Sequence, residues 1–132
     1  MPGPARGFTL IEQLVALTLA GAASAAALPG LAELQAQADA TTLQHLAAAA
    51  GSAMALNYAG CLVTKQQVVV GKCQAVADCS QVQALLQTAL PAGYRVLPQA
   101  LPAPTPGAEA SCQLLDNSHG AGASFRAYPT GA

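Results

Sequence analysis

The residue with the most demanding chemistry is Glu12. It is the only charge in the apolar stretch from Phe8 to Leu28, which Pro29 closes. As a helix those 21 residues would span about 31 Å, enough to cross a bilayer core. A carboxylate inside a spanning helix costs about 3 kcal/mol, less near the interface. An ionisable group kept at such a cost points to a function, and its partner has to be named. The other candidates for chemistry are Cys61, Cys73, Cys79 and Cys112, the close trio Asp116, Ser118 and His119, and a lone His45.

An even number of cysteines in a small, alanine-rich, exported chain reads as two disulfides, with all three pairings left open by spacing. A metal or haem site is the weaker reading. There is no C-x-x-C pair, and neither histidine has a cysteine within five residues. Nothing marks one thiol as activated by a nearby base. No metal and no cofactor are expected. His45 reads as a solvated or interfacial helix residue. A hydrolytic site needs a converging nucleophile, base and acid, whereas Asp116, Ser118 and His119 sit in a glycine-rich turn and suit turn formation. The chain is not expected to be an enzyme.

The composition narrows the partners. The 132 residues are 53% hydrophobic and 8% charged, against about 25% charged in an ordinary soluble domain. Net charge is −1 and no basic stripe is present, which argues against nucleic acid. Much of the apolar share is alanine, so the core is thin and would gain from covalent staples.

The elements that must position these residues follow from periodicity. Beyond Pro29, Leu31, Leu34, Ala38, Leu43, Leu46, Ala50, Ala53 and Met54 recur at helical spacing to about Asn57. Glu33, Gln35, Gln37, Asp39 and Gln44 take the other side. Cys61 to Lys72 reads as a loop holding a short strand at Val68-Val69-Val70. Asp78 and Ser80 are candidate caps for a short helix through Val82, Leu85 and Leu86, which stops before Pro91 and Gly93. Arg95 to Leu97, Ser111 to Leu115 and Ala123 to Tyr128 read as strands, with an exposed loop at 98–107 and a turn-rich connection at 116–122. The expected fold is α+β: a long helix, first membrane-spanning and then amphipathic, on a small antiparallel sheet.

Three readings compete for the amino terminus. Ala25-Ala26-Ala27 is a small-residue run of the kind signal peptidase accepts, but the positive region is weak and Glu12-Gln13 interrupts the apolar core. An ordinary membrane anchor likewise leaves Glu12 without a role. The third reading comes from Gly7-Phe8-Thr9-Leu10-Ile11-Glu12, preceded by Arg6, with Gly21 and Pro29 further on. This pattern resembles the processing motif of type IV prepilins and type II secretion pseudopilins.

The resemblance implies cleavage between Gly7 and Phe8 by a prepilin peptidase, and N-methylation of Phe8 by the same class of enzyme. It also gives Glu12 a partner, the amino-terminal ammonium of a neighbouring subunit. Each group alone is penalised in low dielectric, and pairing relieves both while fixing the axial offset. Glycine and proline are poor helix residues, so Gly21 to Pro29 reads as the place where the helix bends when subunits pack. The departures are Gln13 and the many alanines; the processing residues are intact.

The implied organisation is a leader at 1–7, a transmembrane and polymerisation helix at 8–30, and a head at 31–132. Ala55 to Ala59, Cys79 to Leu86, Leu90 to Tyr94 and Ser111 to Leu114 resemble the mannose-sensitive haemagglutinin branch of type IV pilins. That branch implies a Cys79–Cys112 bridge, which leaves Cys61–Cys73 as the other. The resemblance thus points to a structural subunit of a type IV pilus for adhesion or motility. Its partners would be copies of itself, other pilins and the inner-membrane assembly platform. It would be stored in the inner membrane and then displayed in an extracellular filament. The alternatives are a pseudopilin in a periplasmic filament and, further off, a small secreted binding protein.

Overall fold

The computed structural model describes residues 9–131, with the side chains of residues 19–29 outside the description. The expected cleavage residues Gly7 and Phe8 therefore lie outside the described residues, and of Gly21 and Pro29 only the helical backbone is described. In chain order the elements are helix α1 (Leu10–Val63), a short 3-10 helix (Cys79–Ala84), and strands β1 (Tyr94–Val96), β2 (Ala110–Asp116) and β3 (Gly122–Ala127). The chain divides into two compact units, Met1–Ala38 and Asp39–Ala132.

In the first unit the described part of α1 is apolar and exposed. Leu10, Ile11, Leu14, Val15 and Leu17 lie in the open, and so do Leu31 and Leu34. By helical spacing Leu10, Ile11, Leu14, Val15 and Leu17 form one side of the helix, with Glu12, Gln13 and Ala16 on the other. Thr18 Oγ1 donates to the Leu14 carbonyl at 2.8 Å, so this hydroxyl is satisfied within the helix.

The second unit has the α+β arrangement expected. The three strands are antiparallel in the order β1-β2-β3. Along β2, Cys112, Leu114 and Asp116 turn inward; along β3, Ala123, Phe125 and Ala127 do the same. This period of two leaves Ser111, Gln113, Ser124 and Arg126 in solvent. Register sets Cys112 opposite Phe125 and Leu114 opposite Ala123. The helix supplies Leu43, Ala47, Ala50 and Met54 to the same core, at spacings of four, three and four. Met54 and Leu114 are its largest fully buried side chains. A core this poor in large residues leaves the covalent bonds much of the stabilising role.

The details depart from the sequence reading in three places. Helix α1 continues past Asn57 to Val63 and takes Cys61 into its last turns. The valine run is not a strand. Val69 makes an isolated bridge with Cys73, exchanging hydrogen bonds of 2.9 and 2.8 Å, and Val70 stands fully exposed. The chain must return from Cys61 to Cys73 within 12 residues, so it turns where β-branched residues alone would favour extension. The short helix is 3-10 and ends at Ala84, before Leu85 and Leu86. Its cap is Asp78, which accepts from Ser80 N–H and is answered by Gln81.

Candidate functional site

Glu12 lies in the first turn of α1, and its environment is set by Thr9. The Thr9 N–H donates to Glu12 Oε2 at 3.2 Å, and the Glu12 N–H donates to Thr9 Oγ1 at 3.3 Å. This is a reciprocal capping box, with Thr9 as N-cap and Glu12 three positions into the helix. The first four N–H groups of a helix have no partner of their own. In a bilayer no water replaces one. The pair therefore satisfies two donors that apolar surroundings would otherwise penalise, using the same carboxylate that those surroundings penalise. The sequence does carry a signal for Thr9, since Thr-x-x-Glu ahead of an apolar run is a capping pattern.

In the second unit, sulfur bonds join Cys61 to Cys73 and Cys79 to Cys112. The first closes the end of α1 onto the following loop. The second ties the 3-10 helix to β2. All four sulfurs are buried, and no described cysteine is free.

Two further residues hold the end of α1 in place. Asn57 Nδ2 donates to the Gln74 carbonyl at 2.8 Å and to Thr130 Oγ1 at 2.9 Å, while Asn57 Oδ1 accepts from the Gln74 N–H at 2.8 Å. Thr130 donates in turn to the Gln74 carbonyl at 2.8 Å. One side chain thus joins the helix, the segment after Cys73 and the carboxyl end of the chain. Nearby, a Cβ on Gly60 would run into the backbone carbonyl of Lys72. Neither role is readable locally, because the partners are distant in sequence.

The Asp116, Ser118 and His119 trio builds the β2–β3 turn. Asp116 Oδ1 accepts from Ser118 N–H at 2.8 Å, and Oδ2 accepts from His119 Nδ1–H at 2.9 Å. The hydrogen bond from His119, then that from Ser118, holds the Asp116 carboxyl below its usual range. The same bond to Asp116, aided by its charge, holds the His119 imidazole above its usual range. Asp39 on α1 faces the other ring nitrogen, 4.0 Å away. Burial first, then the Asp116 and Asp39 charges, pushes the Tyr94 hydroxyl up. His45 is exposed on α1.

Among the described residues, no three of His, Cys, Asp or Glu gather to hold a metal ion. An open groove of about 1080 Å³ runs beside α1, with Leu46, Leu56, Val68, Val69, Leu85 and Leu90 in its walls.

Residues 4–28 match the prokaryotic N-terminal methylation motif. The match covers the segment that contains Gly7, Phe8, Thr9 and Glu12 and supports the type IV pilin and pseudopilin class. No curated protein and no solved structure matches the chain.

Proposed function

We propose that this chain is a structural subunit of a type IV pilus. It is stored in the inner membrane with leader residues 1–7, cut between Gly7 and Phe8, and N-methylated on Phe8. It then polymerises through residues 8–30, with the 31–132 head outward and the assembly platform and its own copies as partners. The observation that carries this reading is the methylation motif over residues 4–28. The apolar first part of α1 fits it: Leu10, Ile11, Leu14, Val15 and Leu17 are exposed in the single chain, and packed helices would cover them. The class is structural rather than catalytic.

Within that class, the pilus is preferred to a secretion pseudopilus on the state of the head carboxylates that follow α1. Pseudopilin heads commonly hold calcium in an acid-rich loop. Here Asp78 serves Ser80, Asp116 serves His119, and Glu109 faces Arg126 at 3.8 Å. The segment resemblances to the mannose-sensitive haemagglutinin branch favour an adhesive pilus. In that setting Glu12 receives the ammonium of a neighbouring Phe8, and Gly21 to Pro29 bends as helices pack.

The test is the ratio of sheared surface filament to membrane-stored subunit in cells making only one variant. Glu12→Leu removes the segment's charge and leaves the head untouched. Normal processing with a much lower ratio is expected. A ratio equal to that of the natural chain contradicts a role for the carboxylate in assembly.

A further inference from the structure

We propose that Thr9 is a positioning residue for Glu12 in filament assembly, an inference that rests on the filament reading above. Thr9 Oγ1 takes the Glu12 N–H, and Glu12 Oε2 takes the Thr9 N–H. The two bonds fold the carboxylate back along the helix toward the chain's own amino end. That places the acid at the level of the first turn rather than out to the side. Gln13 N–H then donates to the Thr9 carbonyl at 3.0 Å, which starts the helical ladder with Thr9 itself outside the helix.

A carboxylate has two oxygens and accepts at both. Oε2 is engaged by the chain's own backbone, and among the described residues no hydrogen bond is made to Oε1. One oxygen thus anchors the side chain, and the other is left to receive a charge-assisted bond from an incoming ammonium. The neighbour need not break the capping box to form its pair. Anchoring also limits the rotamers lost when the pair forms, which lowers the entropic cost of assembly. Without the Thr9 hydroxyl, the Glu12 N–H loses its partner in a medium with no water to replace it. The helix start then frays or shifts, and the acid loses its fixed height.

Three variants of the full chain test this: Thr9→Val, which keeps shape without the hydroxyl, Thr9→Ser, which keeps the hydroxyl, and Thr9→Val combined with Glu12→Leu. Each is expressed as the sole form and scored by the mass of its mature amino terminus and by the filament-to-membrane ratio. Thr9→Val should be processed normally, with a ratio reduced about fivefold, the equivalent of a lost N-cap. Thr9→Ser should stay near the natural chain. Because Thr9 acts through Glu12, Thr9→Val should add nothing once Glu12→Leu is present. A natural ratio for Thr9→Val, or independent effects in the double variant, overturns the positioning role while Glu12→Leu still tests the filament reading. Uncut Thr9→Val precursor would assign the residue to peptidase recognition and overturn it equally. If Glu12→Leu itself assembles normally, the filament role of the carboxylate fails, and the Thr9 proposal fails with it.

Discussion

Asn57 and Gln74 are paired as two strand residues would be: the Asn57 side chain accepts the Gln74 N–H and donates to the Gln74 carbonyl, both at 2.8 Å. A helix side chain thereby supplies the backbone of the next segment with the hydrogen bonds a neighbouring strand would give. Thr130 closes the group by bonding to both. Asn57→Ala removes all three Asn57 bonds and leaves the buried Thr130 hydroxyl with one fewer partner. We expect a loss of about 2 kcal/mol in denaturant unfolding of the full chain in detergent. Gln74→Ala should be nearly silent, because Gln74 contributes only its backbone. Equal losses for the two variants would show that the Asn57 pairing carries no weight.

Gly60 should tolerate no side chain. The last turns of α1 pass so close to Lys72 that an added Cβ meets its carbonyl. Gly60→Ala should cost about 1–3 kcal/mol through forced backbone displacement. An unchanged unfolding midpoint in the same assay would contradict the close approach.

The two disulfides should differ in weight. Loop closure over 33 residues for Cys79–Cys112 and 12 for Cys61–Cys73 corresponds to about 4 and 3 kcal/mol respectively. Cys79→Ser with Cys112→Ser should therefore deplete the subunit more than Cys61→Ser with Cys73→Ser, read as accumulated protein in an oxidising compartment. Non-reducing peptide mass spectrometry tests the pairing itself. A Cys61–Cys112 or Cys73–Cys112 peptide would contradict it.

The β2–β3 turn should make the stability of the second unit depend on pH. His119 is held above its ordinary 6.5, mainly by the hydrogen bond to Asp116. Its contribution is therefore complete below pH 6.5 and is lost as pH rises through the raised value. Asp116 is held below its ordinary 3.8, mainly by the same bond. Its contribution is complete above pH 3.8 and is lost as pH falls through the lowered value. The pair should stabilise fully between 3.8 and 6.5, by a modest amount, since His119 is largely exposed and solvent screens it. The stability difference between the natural chain and His119→Gln, read from unfolding midpoints, should shrink as pH rises through the raised value. Asp39 and Tyr94 also face the turn; a difference that stays constant as pH rises from below 6.5 through the raised value would contradict this.

Residue type and spacing made some of this legible and left the rest hidden. Leu43, Ala50 and Met54 announced the buried face of α1 because helical periodicity is local. Alternation likewise marked β2 and β3 near their observed limits. Val68-Val69-Val70 misled because local β preference ignores the Cys61–Cys73 closure, which forces the chain to turn. Asn57 and Gly60 carried no local sign, since Gln74, Thr130 and Lys72 reach them only in the folded chain. Thr9 was visible in Thr-x-x-Glu but was overshadowed by the charge three residues on.

The mass of the mature amino terminus tests the central claim most directly. Subunit purified from membranes or sheared filaments should begin at Phe8 and carry one methyl group on its α-nitrogen. Replacing Gly7 with a bulky residue should leave the precursor uncut, because the peptidase must approach a backbone with no side chain in the way. A mature chain starting at Leu28 or a neighbour would mean signal peptidase had removed Glu12 together with the whole polymerisation segment. That result would contradict the pilin account.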